Sequence, residues 1–179
     1  LAENLGLQHS VIPIGDIYDS FNKGLEKEFK GKEKDITEEN LQSRCRGVIL
    51  MALSNKSGDL VLTTGNKSET AVGYSTLYGD TAGGFGVLKD VPKTMVYELS
   101  RYRNTISKVI PERIIDRPPT AELAPDQKDT DSLPDYDILD KIIELYVEQD
   151  KSKEEIESLG VGNDVIERVL RLIDISEYK

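Results

Sequence analysis

The sequence predicts an α/β fold with a parallel sheet and a helical C-terminal part. Short apolar, β-branched runs at residues 9–14 and 60–62 are typical of strands, and the segments between them have the apolar spacing of helices. Strands that alternate with helices favour a parallel sheet, because parallel strands need a long crossover connection. After about residue 135, three successive helical segments are predicted.

The first strand and the first helix are predicted from local pattern. The run at 9–14 lies between Gly6 and Gly15, which bound it as a strand. Apolar residues then recur at every fourth position from Ile17 to Phe29, which predicts an amphipathic helix. The two elements together give the strand-to-helix order that an α/β fold requires.

A long helix is predicted over residues 37–56. It begins with Glu38 and Glu39, which the positive end of the helix dipole favours. Leu50 and Met51 lie outside its main apolar stripe, so we expect burial on more than one side, against a sheet or a subunit partner. The stripe itself consists of Leu41, Cys45, Val48, Ile49, Ala52 and Leu53.

The stretch at 60–93 has the pattern of a strand end that faces a ligand. The continuous apolar run at 60–62 predicts a strand covered on both faces, and it breaks at 63–65. In open α/β sheets, ligands bind at the carboxyl ends of strands. A short helix is expected near Ser68, and a glycine-rich loop follows at 79–86.

The second half of the chain is predicted to be mainly helical. Pro92 suits the first turn of a helix that ends near Asn104, and residues 110–115 are predicted to be extended. A long loop with four prolines follows at 117–134. The last helices are expected at 135–148, 152–159 and 163–175.

The charge of the chain excludes one broad class of function. The 179 residues carry a formal net charge of -10, and such a surface repels phosphate backbones, so we expect no nucleic-acid partner. A small anionic ligand stays compatible with it, because local lysines, arginines and backbone N–H groups can form a positive pocket within an acidic protein.

The sequence predicts a cytoplasmic protein without a membrane partner. It has one cysteine, so it cannot form an intrachain disulfide, and no apolar run reaches the roughly 18 residues of a transmembrane helix. The N-terminal stretch lacks the basic region and apolar block of a signal peptide. Cys45 lies on an apolar stripe and is expected to be buried, and His9 lies in a predicted strand.

Local pattern leaves two interpretations open for each candidate site residue. Thr64 could contact a nucleotide or simply belong to a strand-to-helix turn, and Glu69 could bind a divalent metal or complement a helix dipole. Asn40 and Arg44, at i and i+4, could clamp an anion or be solvated. Lys93 at a helix start is unfavourable for the dipole, which favours a nearby anion.

Several long motifs resolve this ambiguity, because together they resemble one family. They occur in order along nearly the whole chain, so a chance match is improbable. The chain resembles the synthetase domain of glutamine-dependent NAD⁺ synthetase. The matching segments are ENLQSRCRG (39–47), LTTGNKSETAVGYSTLYGD (62–80), LKDVPK (88–93), RPPTAEL (117–123), QKDTDSLPDYDILD (127–140) and EYK (177–179).

The resemblance implies a fold and a reaction. The fold is the adenine nucleotide α-hydrolase-like, Rossmann-like fold of the N-type ATP pyrophosphatases. The reaction amidates deamido-NAD⁺: its nicotinate carboxylate attacks the α-phosphorus of ATP, which gives an NAD-adenylate and pyrophosphate. Ammonia then displaces AMP and leaves NAD⁺. In this class the ammonia comes from glutamine through a separate glutaminase domain.

The resemblance also implies roles for individual residues. Glu69 matches a position that binds deamido-NAD⁺ and, in some members, Mg²⁺. No catalytic base is expected, because a carboxylate is already the nucleophile. The positions that match deamido-NAD⁺ contacts are Asn40, Arg44, Glu69, Tyr74 and Lys179. The positions that match ATP contacts are Thr64, Lys93 and Thr120.

The chain departs from the family pattern in one respect. The phosphate-binding loop Ser-Gly-Gly-x-Asp-Ser, which follows the first strand of the family domain, is absent from residues 1–179. We therefore expect these residues to be a partial synthetase domain that is inactive alone and lacks the glutaminase domain. A homo-oligomer is expected by resemblance, with the helix at 37–56 as a contributor to the interface.

Two other hypotheses remain at this stage. The first is a different amidotransferase chemistry on the same ATP-pyrophosphatase fold. The pair Asn40 and Arg44 and the segment 62–80 argue against it, because these match positions that contact the dinucleotide and not only ATP. The second is a non-catalytic α/β binding or assembly module, which the absent phosphate loop keeps open.

Overall fold

The computed structural model of the chain describes residues 1–158 and 160–179. Its main elements are helices, with one short parallel sheet between them. In chain order they are α1 (Gly15–Leu25), α2 (Ile36–Ser57), β1 (Leu62–Thr63), α3 (Lys67–Ala71), β2 (Phe85–Gly86), α4 (Lys93–Ile106), α5 (Glu112–Asp116), a 3₁₀ turn (Asp129–Asp131), α6 (Tyr136–Ile143), a π-helical turn (Glu144–Glu148), α7 (Lys153–Glu157) and α8 (Asn163–Ser176).

The sheet consists of β1 and β2, which run parallel as predicted. Leu62 pairs with Phe85, and Thr63 pairs with Gly86. Gly83 lies so close to β1 that an added Cβ would meet the Val61 carbonyl oxygen at 3.0 Å. Gly83, Gly84 and Gly86 therefore allow the loop to pack against residues 60–63, while Gly79 packs against Ser43 of α2. The loop also contains a strand, β2, that the sequence pattern did not predict.

The hydrophobic core lies among the C-terminal helices. Leu139 and Ile142 of α6 are fully buried, and Ile166 and Val169 of α8 pack with them at the spacing of a helix face. Ile156 of α7 closes the same cluster. α6 also contacts α3 and α4, so the core supports the two helices that follow the sheet strands.

The predicted helices are largely confirmed. The helix predicted at 135–148 is present as α6 and its π-helical turn, and the one at 163–175 is α8. The helix at 152–159 is found as α7, which ends at Glu157, while Leu159 lies outside the described residues. A capping box formed by Ser152 and Glu155 begins α7.

The predictions of a strand at 9–14 and of extended structure at 110–115 are wrong. Residues 9–14 have no regular secondary structure, and Val11 is 87% exposed. Residues 110–115 were expected to be extended, but Pro111 precedes the helix α5. β-branched residues form strands only where a neighbouring strand accepts their hydrogen bonds, and the described part of the chain offers none to either segment.

The strand predicted at 60–62 is shifted and is not covered on both faces. β1 comprises only Leu62 and Thr63, while Leu60 is 65% exposed and Leu62 is 54% exposed. A run that is apolar throughout is typical of a strand in the middle of a sheet. The described residues supply only one neighbouring strand, so this apolar surface stays uncovered.

The buried side of α2 also differs from the predicted stripe. Cys45 is buried as predicted, but Val48 is 61% exposed and Leu53 is 50% exposed. The other buried positions are the small residues Ser43 and Gly47. An added Cβ at Gly47 would meet two backbone carbonyl oxygens of the 78–82 loop at 2.8 and 3.0 Å, so close approach of that loop requires small residues.

We predict opposite effects for two glycine-to-alanine changes. Gly47→Ala should lower the free energy of unfolding by about 1–3 kcal/mol, because the new methyl group meets backbone atoms that cannot move aside. Gly24→Ala is the matched control, since Gly24 lies in α1 with open space around it. That change should raise the free energy of unfolding by about 0.5–1 kcal/mol. Urea denaturation of both variants measures the difference, and equal stabilities would contradict the packing of α2.

Candidate active site

The described residues form a large cleft, with a volume of about 920 Å³, near the carboxyl end of β1. Its walls come from α2, the turn after β1, α3, the start of α4, the 117–123 segment and Lys179. This is the place that the sequence pattern predicted for a ligand. Of the eight candidate residues, seven line the cleft: Asn40, Thr64, Glu69, Tyr74, Lys93, Thr120 and Lys179.

Arg44 is the candidate residue that does not line the cleft. It is exposed on α2, and its Nε donates a hydrogen bond to the Leu77 carbonyl oxygen at 3.1 Å. Asn40, one turn earlier, does line the cleft and accepts a hydrogen bond from the Thr76 hydroxyl at 2.8 Å. Asn40 therefore faces the cleft, whereas Arg44 supports the neighbouring 76–80 segment.

Glu69 and Lys93 form an ion pair in the cleft. Lys93 Nζ lies 2.9 Å from Glu69 Oε1, and the two side chains are 18% and 20% exposed. The other carboxylate oxygen of Glu69 accepts a hydrogen bond from the Asn66 backbone N–H at 3.2 Å, and the Asn66 side chain accepts one from the Glu69 N–H. This capping box begins α3 and fixes Glu69 in position.

Lys93 is held from its other side by an aromatic ring. Its Nζ lies 5.4 Å from the centre of the Tyr136 ring, within the range of a cation–π contact. Lys93 is the first residue of α4, where the helix dipole disfavours a positive charge. Glu69 and the ring compensate for that unfavourable position, and they keep the ammonium group in the cleft.

The Asp129 carboxylate lies in the cleft but is not among the residues predicted from the sequence. Asp129 is 3% exposed and lines the cleft, and its Oδ2 accepts a hydrogen bond from the Tyr136 hydroxyl at 2.7 Å. Its Oδ1 has no hydrogen-bond partner in the described part of the chain. Only its place in the matching segment 127–140 could have indicated it, because its contacts depend on the tertiary fold.

Two tyrosines beside Asp129 stay protonated at neutral pH. Burial raises the pKa of the Tyr136 phenol well above its usual value, and the hydrogen bond to Asp129 raises it further. Burial likewise raises the pKa of Tyr74, with the negative charge of Asp129 as the second cause. The Tyr136 hydroxyl donates to Asp129, and the protonated Tyr74 hydroxyl is available as a donor to a ligand in the cleft.

The segment that carries Tyr74 is fixed from two directions. Lys179 Nζ donates hydrogen bonds to the Gly73 and Ser75 carbonyl oxygens at 2.6 and 2.8 Å, one on each side of Tyr74. Gly73 has a φ of +63°, and a Cβ there would collide with the Ser176 side chain. A glycine is therefore required where α8 meets the cleft, and Lys179 holds the backbone of this wall.

The 76–80 segment and the 117–134 loop are tied to α2. The Asp80 carboxylate accepts hydrogen bonds from the Thr76 N–H at 2.7 Å and the Ser43 hydroxyl at 3.1 Å. Across the cleft, Gln127 Nε2 donates to Glu39 Oε2 at 3.2 Å. α2 thus supports both walls, although the sequence pattern indicated only Asn40 and Arg44 on it.

None of the described helices is long and apolar enough to cross a membrane.

The described residues contain no group of three His, Cys, Asp or Glu side chains that could hold a metal ion. Within these residues, Glu69 is therefore a single carboxylate and not part of a protein metal cage. A metal at Glu69 would need most of its ligands from a bound substrate and from water.

We predict that Tyr136→Phe destabilises the fold. Loss of the hydroxyl leaves both oxygens of the buried Asp129 carboxylate without a donor in the described structure, which should cost about 1–3 kcal/mol. The same change in an Asp129→Ala background is the control and should cost much less. Urea denaturation of the four proteins gives the coupling energy, and additive effects would contradict the contact.

The raised phenol pKa values predict a loss of stability at alkaline pH. Unfolded tyrosines ionise near pH 10, while Tyr74 and Tyr136 stay protonated in the fold, so the unfolded state binds fewer protons there. The free energy of unfolding should be constant below pH 10 with respect to these groups and should fall as the pH rises above it. The Tyr74→Phe/Tyr136→Phe protein should show a shallower decline in urea denaturation between pH 9 and 11.

Comparison with solved structures supports the fold. An NMN synthetase structure from Francisella tularensis has a TM-score of 0.80 at 25% identity and covers 99% of this chain and 66% of its own. A glutamine-dependent NAD⁺ synthetase from Acinetobacter baumannii in complex with ADP is 49% identical, with a TM-score of 0.64. The match covers 99% of this chain and 31% of that one. The predicted parallel α/β fold is confirmed.

Comparison with known sequences supports the family. A glutamine-dependent NAD(+) synthetase from Acinetobacter baylyi is 57% identical over 180 aligned residues, which cover 99% of this chain and 33% of the relative. This chain thus spans about a third of the length of the curated relatives that it matches. The family described as NAD synthase matches residues 1–179. The chain belongs to the NAD synthase family.

Proposed function

We propose that this chain is part of the synthetase domain of an enzyme that converts deamido-NAD⁺ to NAD⁺ with ATP and ammonia. The Lys93–Glu69 pair carries the proposal, because it places one fixed cation and one carboxylate in a cleft with five other candidate residues. Phosphoryl chemistry requires such charges where negative charge develops. The relative from Acinetobacter baylyi, which matches 99% of this chain, is a glutamine-dependent NAD(+) synthetase.

We assign ATP to the part of the cleft near Thr64, Lys93 and Thr120, all of which line it. Thr64 follows β1 directly, at the carboxyl end of a parallel strand, where α/β folds bind nucleotides. The relative from Acinetobacter baumannii was solved with ADP, which supports adenine nucleotide binding by this family. In this assignment, Lys93 is directed at the phosphates of ATP.

The chemistry of the first step needs charge stabilisation more than a base. The nicotinate carboxylate attacks the α-phosphorus, the bond to the bridging oxygen breaks, and pyrophosphate leaves with the electron pair. Lys93 compensates the negative charge that builds up on the phosphates. In the second step, ammonia attacks the activated carbonyl carbon, AMP leaves, and the nitrogen loses a proton to give the amide.

The donor set at Glu69 fits Mg²⁺ as one ligand among several. Mg²⁺ in nucleotide sites is commonly held by one or two carboxylates together with substrate phosphates and water. A carboxylate has about four lone-pair positions, so Glu69 can keep Lys93 and Asn66 as partners and still offer an oxygen to a metal. Bound Mg²⁺ would supply Lewis-acid stabilisation of the phosphate oxygens.

The dinucleotide end of the cleft is assigned to Asn40, Tyr74 and Lys179, which line the wall made by α2 and the 73–76 segment. Arg44 acts there through its support of Leu77. Tyr74 offers a protonated hydroxyl group beside Glu69 and Asp129. Lys179 holds the backbone on both sides of Tyr74, so it fixes the ring that faces the substrate.

The remaining parts of the enzyme are assigned to other segments of a longer polypeptide. The chain spans about a third of its relatives, and it lacks the Ser-Gly-Gly-x-Asp-Ser phosphate loop. We propose that this loop and a glutaminase domain that supplies ammonia lie outside residues 1–179.

The exposed apolar residues of α2, such as Val48 and Met51, suit a homo-oligomer interface. We propose a cytoplasmic location, in line with the absence of a signal-peptide pattern at the N-terminal stretch of this sequence.

We predict that Lys93→Ala lowers the rate of pyrophosphate release at least tenfold in the full-length protein that contains this chain. The reason is the loss of the cation that faces the phosphates. Lys89→Ala is the matched control, because Lys89 is an exposed lysine in the preceding turn and does not line the cleft. That variant should release pyrophosphate, AMP and NAD⁺ at wild-type rates.

The same assay tests the reaction. With ATP, Mg²⁺, glutamine and deamido-NAD⁺, the wild-type full-length protein should form AMP and NAD⁺ in equal amounts. Nicotinic acid mononucleotide in place of deamido-NAD⁺ is the substrate control, since an NMN synthetase shares this fold. If the protein forms neither AMP nor NAD⁺, the proposed function is wrong. If only the mononucleotide reacts, the enzyme is a different amidotransferase on the same fold.

A further inference from the structure

The buried carboxylate of Asp140 contacts the two helices that carry the Glu69–Lys93 ion pair. Asp140 belongs to α6, is 9% exposed, does not line the large cleft, and contacts residues at the starts of α3 and α4. Its Oδ1 accepts a hydrogen bond from the Ser68 hydroxyl, and its Oδ2 accepts one from the Thr94 N–H at 2.9 Å. Both oxygens of this buried carboxylate therefore have a donor.

Ser68 connects the same carboxylate to the residue that carries the site cation. Ser68 is fully buried, and its hydroxyl oxygen accepts a hydrogen bond from the Lys93 N–H at 2.8 Å. The first two N–H groups of α4 are thus bound to Ser68 and Asp140. A helix start leaves such N–H groups without partners in the helix, and a negative charge there is favoured by the helix dipole.

The position of Ser68 makes this junction part of the site geometry. Ser68 is adjacent to Glu69 on α3, and Lys93 is the first residue of α4. The two partners of the ion pair therefore come from two helices whose ends meet at one buried carboxylate. A displacement of about 1 Å between reacting groups can cost about 100-fold in rate, so the relative position of these helix ends matters for the reaction.

We propose that Asp140 is a positioning residue for the adenylation step, which acts on the phosphates through Ser68 and Lys93. This inference rests on the proposed function. Asp140 fixes the start of α4 against α3, so that Lys93 Nζ meets both Glu69 and the phosphates of ATP. Asp140 itself touches neither substrate, because it lies outside the lining of the large cleft.

The test uses the full-length protein and the exchange of labelled pyrophosphate into ATP in the presence of deamido-NAD⁺ and without ammonia. Asp140→Ala should lower the kcat of exchange at least tenfold and leave the KM for deamido-NAD⁺ within twofold of wild type. Asp137→Ala is the matched control, because Asp137 is an exposed acid one turn earlier on α6. It should leave the kcat of exchange unchanged.

A double-mutant cycle separates positioning from a general loss of structure. If Asp140 acts through Lys93, then Asp140→Ala in a Lys93→Ala background should lower exchange by less than twofold. An equal loss in both backgrounds would show that Asp140 only stabilises the fold, and it would overturn the proposal. Exchange by Asp140→Ala at the wild-type rate would overturn it as well.

Two milder variants test the proposal if Asp140→Ala does not fold. Asp140→Asn retains one acceptor and Ser68→Ala removes one hydroxyl, so each should fold and show a smaller, threefold or greater, loss of kcat. Wild-type kcat in both would contradict the proposal. The proposed function fails separately, and visibly, if the wild-type protein shows no exchange dependent on deamido-NAD⁺.

Discussion

The packing of α6 against α3 and α4 is the constraint on which the rest of the site depends. The inner face of α6 is apolar, with Leu139 and Ile142 fully buried, and it belongs to the core that α8 and α7 complete. Asp140 follows Leu139 on the same helix and reaches the starts of α3 and α4. The core therefore fixes one buried carboxylate, and that carboxylate fixes two helix ends.

A rigid junction suits a reaction that depends on electrostatic preorganisation. Donors and charges lower a barrier most when they are already oriented before charge develops, because they then need no reorganisation. Glu69 is oriented by the α3 capping box, and Lys93 is oriented by its backbone contact with Ser68 and by the Tyr136 ring. These contacts hold the charged atoms of both side chains at defined positions.

The helices and most of the cleft were predictable from sequence, but the contacts between segments were not. Periodicity identified α2, α4 and α8, and the long motifs identified seven residues that line one cleft. Residues 9–14 were wrongly assigned to a strand, because propensity cannot show whether a neighbouring strand exists. Asp129 and Asp140 gave no local signal, since each depends on partners from other segments of the chain.

The small sheet leaves an apolar surface exposed close to the cleft. A sheet of two strands is only marginally stable in water, and here Leu60, Leu62 and Phe85 present apolar side chains to solvent. In parallel sheets, the loops that follow neighbouring strands meet at the same edge, so a strand paired beside β1 would bring its loop to Thr64. The proposed phosphate loop follows a strand in the family pattern. One segment can therefore both cover the apolar surface and complete the wall of the cleft opposite Lys93, which links the stability of the sheet to the binding of ATP.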